Sequence, residues 1–314
     1  MAKQVLNNGE THGVIRGKIN DNFTELYTDI EVHKADYTAN LQHRNILHNW
    51  DFSNPVNQRG KTSYNGLGYG IDRWKLSSVN VTLDVQSDNI KFTAVGSGDL
   101  WQYIENYQQY RGQTLTLSIE LASPTVNNVA FGLYDGVAST VLGLAGKGSG
   151  IHTLTRTIDS SATELRVRIY GNQLGVTNSI EIKRVKLELG TKSTLANDPP
   201  ADYGEQLALC QRYLFRIDPT ANTLLAPGFG LNTTTMRTNL YLPVALHIKP
   251  TATYDTLTVT DTKSANIVTV SAIVVQGWNA NILTLDITST GLVVGDMYYL
   301  RIVAGNYIQF SAEL

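Results

Sequence analysis

Between residues 17 and 37 the large apolar side chains follow a helical period. They recur at intervals that alternate between four and three residues, at Ile19, Phe23, Leu26, Ile30, His33 and Tyr37. This heptad spacing places them on one stripe of an α-helix, which is typical of a coiled coil. Because a single helix with one narrow apolar stripe is barely stable in water, we expect copies of the chain to associate through Ile19, Phe23, Leu26, Ile30 and His33. In the alternative arrangement, the stripe packs against the chain's own globular part.

From His48 onwards apolar positions alternate with polar ones, which is the period of a half-buried β-strand. The clearest runs are 79–85, 90–94, 115–121 and 165–169. Segments rich in glycine, asparagine, aspartate and serine separate them at intervals of roughly 8–12 residues, as in an antiparallel β-sandwich.

Two local patterns refine this prediction. Asp135-Gly136 lies between two apolar segments and predicts a two-residue type I′ hairpin. Between Ile182 and Val185 the apolar alternation slips by one residue, which predicts a β-bulge in a long strand. The bulge would let that strand keep its core face.

A linker separates this β-rich part from a second one. Residues 197–200 (NDPP) end in two prolines, which remove two backbone donors and hold the chain extended. Residues 203–212 predict a short helix with Tyr203, Leu207 and Cys210 on one side. Cys210, the single cysteine, is predicted to be a buried, unreactive thiol.

Strands resume at Leu240 in a segment that is dense in threonine. We therefore predict a mainly β protein in which a short, coiled-coil-like N-terminal α-helix precedes two antiparallel, jelly-roll-like β-sandwich domains. The predicted divisions are 1–45 for the helical segment, 46–198 for the first sandwich, 199–217 for the linker and its helix, and 218–314 for the second sandwich.

Composition excludes several classes of protein. The 314-residue chain has a formal net charge of −2, 17 % charged residues and one cysteine. It has no run of about 18 apolar residues, so no membrane insertion is expected, and a single cysteine allows neither an intrachain disulfide nor a cysteine-based zinc site. The lack of basic clusters argues against nucleic acid as a partner. The residues after Met1 also lack the pattern of a Sec signal peptide.

Several runs of residues resemble a family of tailed-phage proteins. Residues 45–60 (NILHNWDFSNPVNQRG) and 72–75 (DRWK) are similar to the start of phage tail-fibre domains that are built like a carbohydrate-binding module. Residues 185–190 (VKLELG) and 203–213 (YGEQLALCQRY) match a later signature of the same family. One departure lies at 197–202, where relatives commonly carry a Phe-x-Pro-Arg-like segment.

The resemblance implies a homotrimeric tail-fibre or receptor-binding protein of the virion, made in the host cytoplasm, with no enzymatic activity and no cofactor. Residues 1–45 would attach to phage tail or baseplate proteins, and the globular part would bind a glycan or wall polymer on the host surface. Several weak sites per fibre would act together by avidity. Two alternatives stay open, namely a structural baseplate or tail-connector protein without a ligand, and a glycan hydrolase or esterase.

The sequence offers only weak candidates for catalysis or metal binding. Residues 143–150 (GLAGKGSG) resemble a phosphate-binding loop, but Val141 and Gly148 stand where the motif needs glycine and Ser/Thr, so a flexible loop between strands is predicted. The histidines form no local metal-binding pair, although three copies of His33 on a trimer axis could hold an ion. Four glutamates in predicted strands are expected on solvated outer faces: Glu120, Glu164, Glu181 and Glu188.

Aromatic residues are the strongest candidates for ligand binding. Flat rings bind the apolar faces of sugars, and neighbouring amide or guanidinium groups bind their hydroxyls. One cluster consists of Trp101, Tyr103, Tyr107, Tyr110 and Arg111. In the alternative, Trp101 and Tyr103 face the core, as is predicted for Trp50 and Trp74.

A second candidate surface lies near the C-terminus, where the resemblance places the receptor-facing tip. It comprises the predicted loops 218–238 and 276–281. Trp278, followed by Asn279, is expected at an exposed loop tip, where a large ring has few structural reasons to be.

Overall fold

The computed structural model describes residues 9–40, 43–124, 128–261, 267–279 and 281–313, with the backbone alone at 34–40 and 172–176. The fold is mainly β, with twenty strands and two α-helices in these ranges. One cluster of buried apolar side chains lies at residues 47–195 and another at 226–312, and they form the cores of a first and a second unit. No helix in the described ranges is long and apolar enough to cross a bilayer.

The predicted N-terminal helix is present and is longer than expected. Helix α1, His12–Asn40, has 29 residues. Its five predicted stripe residues are all exposed in the single chain, with Phe23 56 % and Leu26 52 % accessible, while the side chain of Tyr37 lies outside the described residues. The stripe therefore does not pack against the chain's own globular part, and its association with other copies stays a prediction.

The first unit is built from ten antiparallel strands that belong to one hydrogen-bonded sheet. They are β1 (Ser63–Asn65), β2 (Gly68–Tyr69), β3 (Lys75–Leu76), β4 (Val81–Val85), β5 (Ile90–Tyr103), β6 (Thr114–Leu121), β7 (Val129–Tyr134), β8 (Ser139–Gly143), β9 (Gly150–Thr157) and β10 (Arg166–Leu189).

The long strands β5 and β10 fold this sheet into two layers, because each changes neighbours along its length. Near Ile90, β5 pairs with β4 and β10 pairs with β6; near Tyr103, β5 pairs with β3 and β10 pairs with β7. The layers are β1-β4-β5-β10-β6-β9 and β2-β3-β5-β10-β7-β8. The buried side chains of both layers lie in one cluster, which includes Trp50 and Trp74 as predicted. This arrangement is sandwich-like, as the alternating pattern predicts.

The crossing between the layers requires glycine. The register between β5 and β10 shifts at residues 172–177, and Gly98 and Gly171 pair directly beside the shift. A Cβ on Gly98 would lie 2.3 Å from a methyl group of Val81, and a Cβ on Gly171 would lie 2.8 Å from the Cβ of Ala94. Side chains of neighbouring residues already fill the space beside both glycines, so there is no room for a further side chain.

The β7–β8 hairpin forms where Asp135-Gly136 predicts one, but its turn is not of type I′. The last pair is Tyr134 with Ser139, so the loop has four residues. Only Gly136 in this loop has a positive φ, whereas a type I′ turn needs two such residues. The buried carboxylate of Asp135 instead accepts hydrogen bonds from two backbone N–H groups of the loop at 3.1 and 2.8 Å.

The predicted bulge in β10 is confirmed. The pairing of β10 with β6 changes register between Ile182 and Arg184. As a result Ile182, Val185 and Leu187 all face the core. Val79, in contrast, is exposed and lies outside β4, so that strand begins two residues later than the alternation predicts.

The second unit holds ten further strands. They are β11 (Leu214–Ile217), β12 (Thr223–Gly230), β13 (Thr235–Tyr241), β14 (Thr251–Tyr254), β15 (Leu257–Asp261), β16 (Ile267–Thr269), β17 (Ala272–Asn279), β18 (Ile282–Thr288), β19 (Met297–Ile302) and β20 (Ile308–Ser311). Seven form a sheet in the order β16-β15-β19-β12-β13-β18-β17, and β11-β20-β14 form a smaller one.

The expectation that strands resume only at Leu240 is wrong, because β11, β12 and β13 all begin before it. The sequence pattern did not predict β12, because this strand contains Pro227 and two glycines, which are rare in strand interiors. The segment 218–238 is consequently not a loop at the tip but contributes two central strands of the seven-stranded sheet.

Helix α2, Tyr203–Gln211, confirms the predicted helix between the units. The carboxylate of Asp202 accepts a hydrogen bond from the N–H of Glu205 at 2.7 Å and so caps the helix. Cys210 is buried, as predicted, and burial raises the pKa of its thiol. The buried residues of the helix are Gln206 and Cys210, whereas Tyr203 is exposed.

A buried junction links the first unit to α2, and Asn49 is its centre. Asn49 has a left-handed φ of 52°. Its side chain accepts a hydrogen bond from the N–H of Val56 at 2.7 Å and donates to the carbonyls of Val56 and Asp72, each at 2.8 Å. Its N–H donates to the side-chain oxygen of Gln206 at 2.7 Å, and its carbonyl accepts from the indole N–H of Trp74 at 2.8 Å. One residue thus connects three segments of the sequence.

A fully buried ionic group lies at the end of β10. The side chains of Lys186 and Glu188 are 0 % exposed. The Lys186 ammonium lies 2.6 Å from the Asp198 carboxylate and 2.7 Å from the Thr194 hydroxyl. Glu188 accepts hydrogen bonds from the Thr194 N–H and hydroxyl at 2.8 and 2.6 Å. The expectation that Glu188 lies on a solvated face is wrong, because its partners come from a later segment that covers this part of β10.

Replacing Lys186 tests how far this group stabilises the fold. The substitution Lys186→Met leaves Glu188 and Asp198 buried without their cation, so we expect the free energy of unfolding to fall by about 3–5 kcal/mol. Urea unfolding followed by circular dichroism measures it. Lys183→Met is the matched control, because Lys183 is half exposed and its 3.7 Å pair with Asp88 lies at the surface; it should change stability by less than about 1 kcal/mol. Equal effects of the two substitutions would contradict the assignment.

Candidate functional site

One outer surface of the first unit concentrates aromatic rings and guanidinium groups. It belongs to the β2-β3-β5-β10-β7-β8 layer, on which side chains alternate between core and exterior. The register places Arg166 between Tyr103 and Tyr134, and Arg168 beside Trp101. We call this surface the ring-and-arginine face; its members are Tyr69, Lys75, Asp99, Trp101, Tyr103, Tyr134, Arg166, Arg168 and Tyr170.

Arg166 occupies the centre of the ring-and-arginine face. Its guanidinium carbon lies 4.3 Å from the ring centroid of Trp101, 4.5 Å from that of Tyr134 and 5.4 Å from that of Tyr103. One of its terminal nitrogens donates a hydrogen bond to the Tyr103 hydroxyl at 2.9 Å. The rings of Trp101 and Tyr103 are 5.7 Å apart at an angle of 54°. These cation–π and ring contacts hold the aromatic side chains in fixed orientations.

Carboxylates balance the two arginines. A terminal nitrogen of Arg166 lies 3.5 Å from the Glu164 carboxylate, and one of Arg168 lies 2.7 Å from that of Asp99. The guanidinium of Arg168 also lies 5.2 Å from the ring centroid of Tyr170. The face therefore presents many hydrogen-bonding groups with little net charge.

Three N–H donors in the ring-and-arginine face lack an acceptor among the described residues. They are Nε1 of Trp101, Nε of Arg166 and Nε of Arg168, and each is shielded from solvent. An unpaired, buried donor costs about 1–3 kcal/mol, and such groups are rare in native proteins. Because solvent does not reach them, these three groups are not themselves the donors that a ligand would meet.

The structure divides the aromatic cluster that the sequence predicts. Trp101 and Tyr103 belong to the ring-and-arginine face, so the alternative in which they face the core is wrong. Tyr107 and Tyr110 lie in a short 3₁₀ helix, Tyr107–Tyr110, and pack against the first core. Arg111 donates a hydrogen bond to the carbonyl of Ala162 at 2.9 Å. These three residues therefore lie apart from the ring-and-arginine face, and their part in ligand binding stays a prediction.

The face also contains residues that the sequence did not single out: Tyr134, Arg166, Arg168 and Tyr170. They lie on β7 and β10, far from Trp101 in the sequence, and only the strand register brings them beside it. Alternation in residues 165–169 predicts that Arg166 and Arg168 face outwards, but it does not show which strand lies next to them.

Trp278 and Asn279 do not lie at a loop tip. Both belong to β17, and Trp278 pairs with Leu283 of β18. The ring of Trp278 is 38 % exposed at the edge of the seven-stranded sheet. Most of the predicted loop 276–281 is strand, because β17 continues to Asn279, which pairs with Ile282 of β18.

The structure shows no arrangement for metal or phosphate chemistry in the described ranges. No group of three or more His, Cys, Asp or Glu side chains there is close enough to hold a metal ion. The glycine-rich segment 143–150 joins β8 to β9, as the loop prediction expects. An ion on a trimer axis at His33 stays a prediction.

A polar cleft of about 420 Å³ lies at the junction of the first unit with α2. Its lining includes His48, Arg73, Glu105 and Arg212. Glu105 accepts hydrogen bonds from Arg212 at 3.2 Å and from the Tyr213 hydroxyl. Burial, with a further contribution from Arg73 and Arg212, lowers the pKa of His48 to about 3. His48 is therefore neutral at physiological pH, and the cleft keeps its positive charge on arginines.

Comparison with known proteins gives only distant structural likenesses. No protein-family model matches the chain, and no curated protein sequence matches it. A solved structure described as "CBM4 structure and function" is 18 % identical, covering 46 % of this chain and 99 % of that one, with a TM-score of 0.31. The family 11 carbohydrate-binding module of the cellulosomal cellulase Lic26A-Cel5E of Clostridium thermocellum is 12 % identical, covering 49 % of this chain and 98 % of that one, with a TM-score of 0.28.

A third likeness is to the carbohydrate-binding module TmCBM27, described for specific mannan recognition. It is 15 % identical and covers 48 % of this chain and 100 % of that one, with a TM-score of 0.27. These TM-scores are too low to assign a fold or a function to this chain, both of which rest on its own residues and geometry. None of the three structures is a phage tail fibre, so the tail-fibre resemblance of the sequence stays a prediction.

Acidification should destabilise the protein through His48. The unfolded chain binds a proton at His48 below pH 6.5, whereas the folded chain does so only below about pH 3. In that window the free energy of unfolding should therefore fall as the pH falls, by about 1.4 kcal/mol per pH unit from this residue. Urea unfolding between pH 4 and 7 measures the slope, and His48→Gln should remove this contribution.

Asp72→Asn should change the pH dependence of stability in the opposite direction to His48→Gln. Burial raises the pKa of Asp72 to about 6, so the folded chain binds more protons than the unfolded chain between pH 3.8 and about 6. The Asp72 contribution to stability consequently decreases as the pH rises through this window. Relative to the wild type, the two substitutions should change the slope in opposite directions. A change in the same direction would contradict the assignment.

Proposed function

We propose that this chain is a non-enzymatic, glycan-binding adhesin of a phage virion, a tail-fibre receptor-binding protein that acts as a homotrimer. The observation that carries the binding function is the ring-and-arginine face, where aromatic rings and charge-balanced guanidinium groups lie side by side. The virion role rests on the tail-fibre resemblance of residues 45–75 and 185–213.

The chemistry of the face suits a sugar. An aromatic ring stacks on the C–H face of a sugar ring, and a guanidinium fork beside it donates hydrogen bonds to hydroxyl oxygens. Both groups are present here, since the Arg166 guanidinium carbon lies 4.3 Å from the ring centroid of Trp101 and 4.5 Å from that of Tyr134. Because Glu164 and Asp99 balance the arginines, the face favours a glycan of low net charge over a polyanion.

The exposed stripe of α1 supports oligomerisation. Five large side chains at heptad spacing are accessible in the single chain, and burying such side chains stabilises a coiled coil. We infer a parallel trimer in which residues 1–45 attach to the tail or baseplate and the two units form jelly-roll-like sandwich domains at 46–198 and 218–314. Three copies of a weak site then raise the apparent affinity through effective concentration.

The oligomer is tested by substitution in the stripe. Phe23→Asp places a charge where three copies meet, so we expect a trimer to dissociate to a monomer at micromolar concentration. Light scattering after gel filtration measures the molar mass. Val32→Asp is the matched control, because Val32 is 52 % exposed on the same helix but lies outside the stripe. A wild-type monomer would contradict the trimer, and dissociation by both substitutions alike would contradict the stripe as its interface.

Glycan binding is tested at Trp101. On an array of bacterial surface polysaccharides, the wild-type chain should bind at least one polysaccharide, and Trp101→Ala should weaken that binding by about tenfold or more, equivalent to about 1.4 kcal/mol per site. Thr153→Ala is the control, because Thr153 is exposed on β9 in the opposite layer. Thermal unfolding confirms that the variants fold.

Undiminished binding by Trp101→Ala would show that the glycan binds elsewhere on the chain. A wild-type protein that binds no polysaccharide on the array would contradict the adhesin. Release of reducing ends or acetate from the bound polysaccharide would contradict the absence of enzymatic activity.

A further inference from the structure

The second unit carries an open groove on the outer face of its seven-stranded sheet. The groove has a volume of about 660 Å³ and crosses β12, β13, β18 and β19. It lies in a different unit from the ring-and-arginine face and shares no residue with it. We call it the C-terminal groove.

Large rings mark the two ends of the C-terminal groove. Phe229 and Met297 pair across β12 and β19 at one end, and they are 55 % and 54 % exposed. Tyr241, 70 % exposed, lies at the other end. Phe229 pairs with Arg237, which is four residues before Tyr241 on β13, so at about 3.3 Å per residue the two rings are separated by about 13 Å along the strand. Such large exposed side chains are typical of a contact surface.

Polar groups without net charge fill the space between the rings. Arg237 donates two hydrogen bonds to the carboxylate of Asp286, at 2.7 and 2.8 Å, so the two charges cancel. Thr284 donates its hydroxyl proton to the side-chain oxygen of Asn239 at 2.8 Å. This bond orients the amide of Asn239, an exposed residue of β13 whose NH₂ group can donate two hydrogen bonds.

This order of groups decides between possible occupants. A protein surface or a second copy that covered the two rings would also remove the Asn239 amide and the Arg237–Asp286 pair from water, which costs free energy unless each group finds a partner. A sugar chain brings hydroxyl groups at every residue, so it can pair with these groups while its ring faces stack on the aromatic side chains. A distance of about 13 Å between the stacking positions suits a short oligosaccharide and not a single sugar ring.

We propose that the C-terminal groove is a second carbohydrate site, which binds a short, uncharged oligosaccharide across Phe229, Asn239 and Tyr241. We infer an uncharged ligand because Arg237 and Asp286 form an ion pair with each other. Neither charge is then free to attract an acidic sugar. The site is independent of the ring-and-arginine face, so each copy of the chain presents two binding surfaces on different sheets.

The experiment uses the full chain with Trp101→Ala in the background, so that the first face does not contribute. The probes are cellohexaose, mannohexaose, xylohexaose and maltohexaose, titrated separately by calorimetry. We expect at least one to bind, and Tyr241→Ala or Phe229→Ala to weaken it by about tenfold or more. Ile267→Ala is the matched control, because Ile267 is 54 % exposed on the same sheet but lies on β16, outside the groove; it should leave the dissociation constant unchanged within about twofold.

Three results would overturn the site. They are an absence of binding by all four oligosaccharides, binding that Tyr241→Ala and Phe229→Ala leave unchanged, and a fall in molar mass of Tyr241→Ala in light scattering. The last result would show that a second copy covers the groove. Because the first face is disabled throughout, failure here leaves the array result with Trp101 unaffected, and the two proposals fail separately.

Discussion

The architecture depends on the hydrogen bonds of Asn49. This residue is 1 % exposed, and its side chain and backbone bind Val56, Asp72, Trp74 and Gln206 at 2.7–2.8 Å. Asparagine is one of the few residues that tolerate a left-handed φ, and its amide can donate and accept at the same time. In a buried site an unmade bond costs more than a made bond contributes. The whole junction is therefore stable only when all of these groups are in place.

The same junction positions the second unit. Arg73 stacks at 3.5 Å on the ring of Tyr213, which directly precedes β11. Gln58 donates a hydrogen bond to the carbonyl of Leu214 at 2.7 Å, and Arg59 binds the carboxylate of Glu313 at 2.5 Å. Segments at 49–74, 206–214 and 313 thus form one connected set of contacts. Residues from 49–74 and from 206–214 thus meet where the two units are joined.

Both proposed binding surfaces lie on the outer sides of strands whose inner sides form a core. On β5, Leu100 and Gln102 are buried while Trp101 and Tyr103 face outwards. On β13, Leu240 is buried while Asn239 and Tyr241 are exposed. A strand that is held by its core side presents its other side as a rigid surface. The ligand-binding groups are consequently oriented before any ligand arrives, which reduces the entropy lost on binding.

The sequence by itself determined the local features that depend on neighbouring residues. The helical period in 17–37, the alternation in β4, β5 and β10, the bulge near Ile182 and the burial of Trp50, Trp74 and Cys210 all follow from spacing and residue type. The tertiary structure alone decided which distant residues became neighbours. Arg166 reaches Trp101 through the β5–β10 register, Glu188 is buried because 194–198 covers it, and the C-terminal groove exists because β12 pairs with β13 and β19. The period of apolar residues shows which face of a strand each side chain occupies. Which residues lie beside it depends on how remote strands pair, and the sequence pattern does not show that pairing.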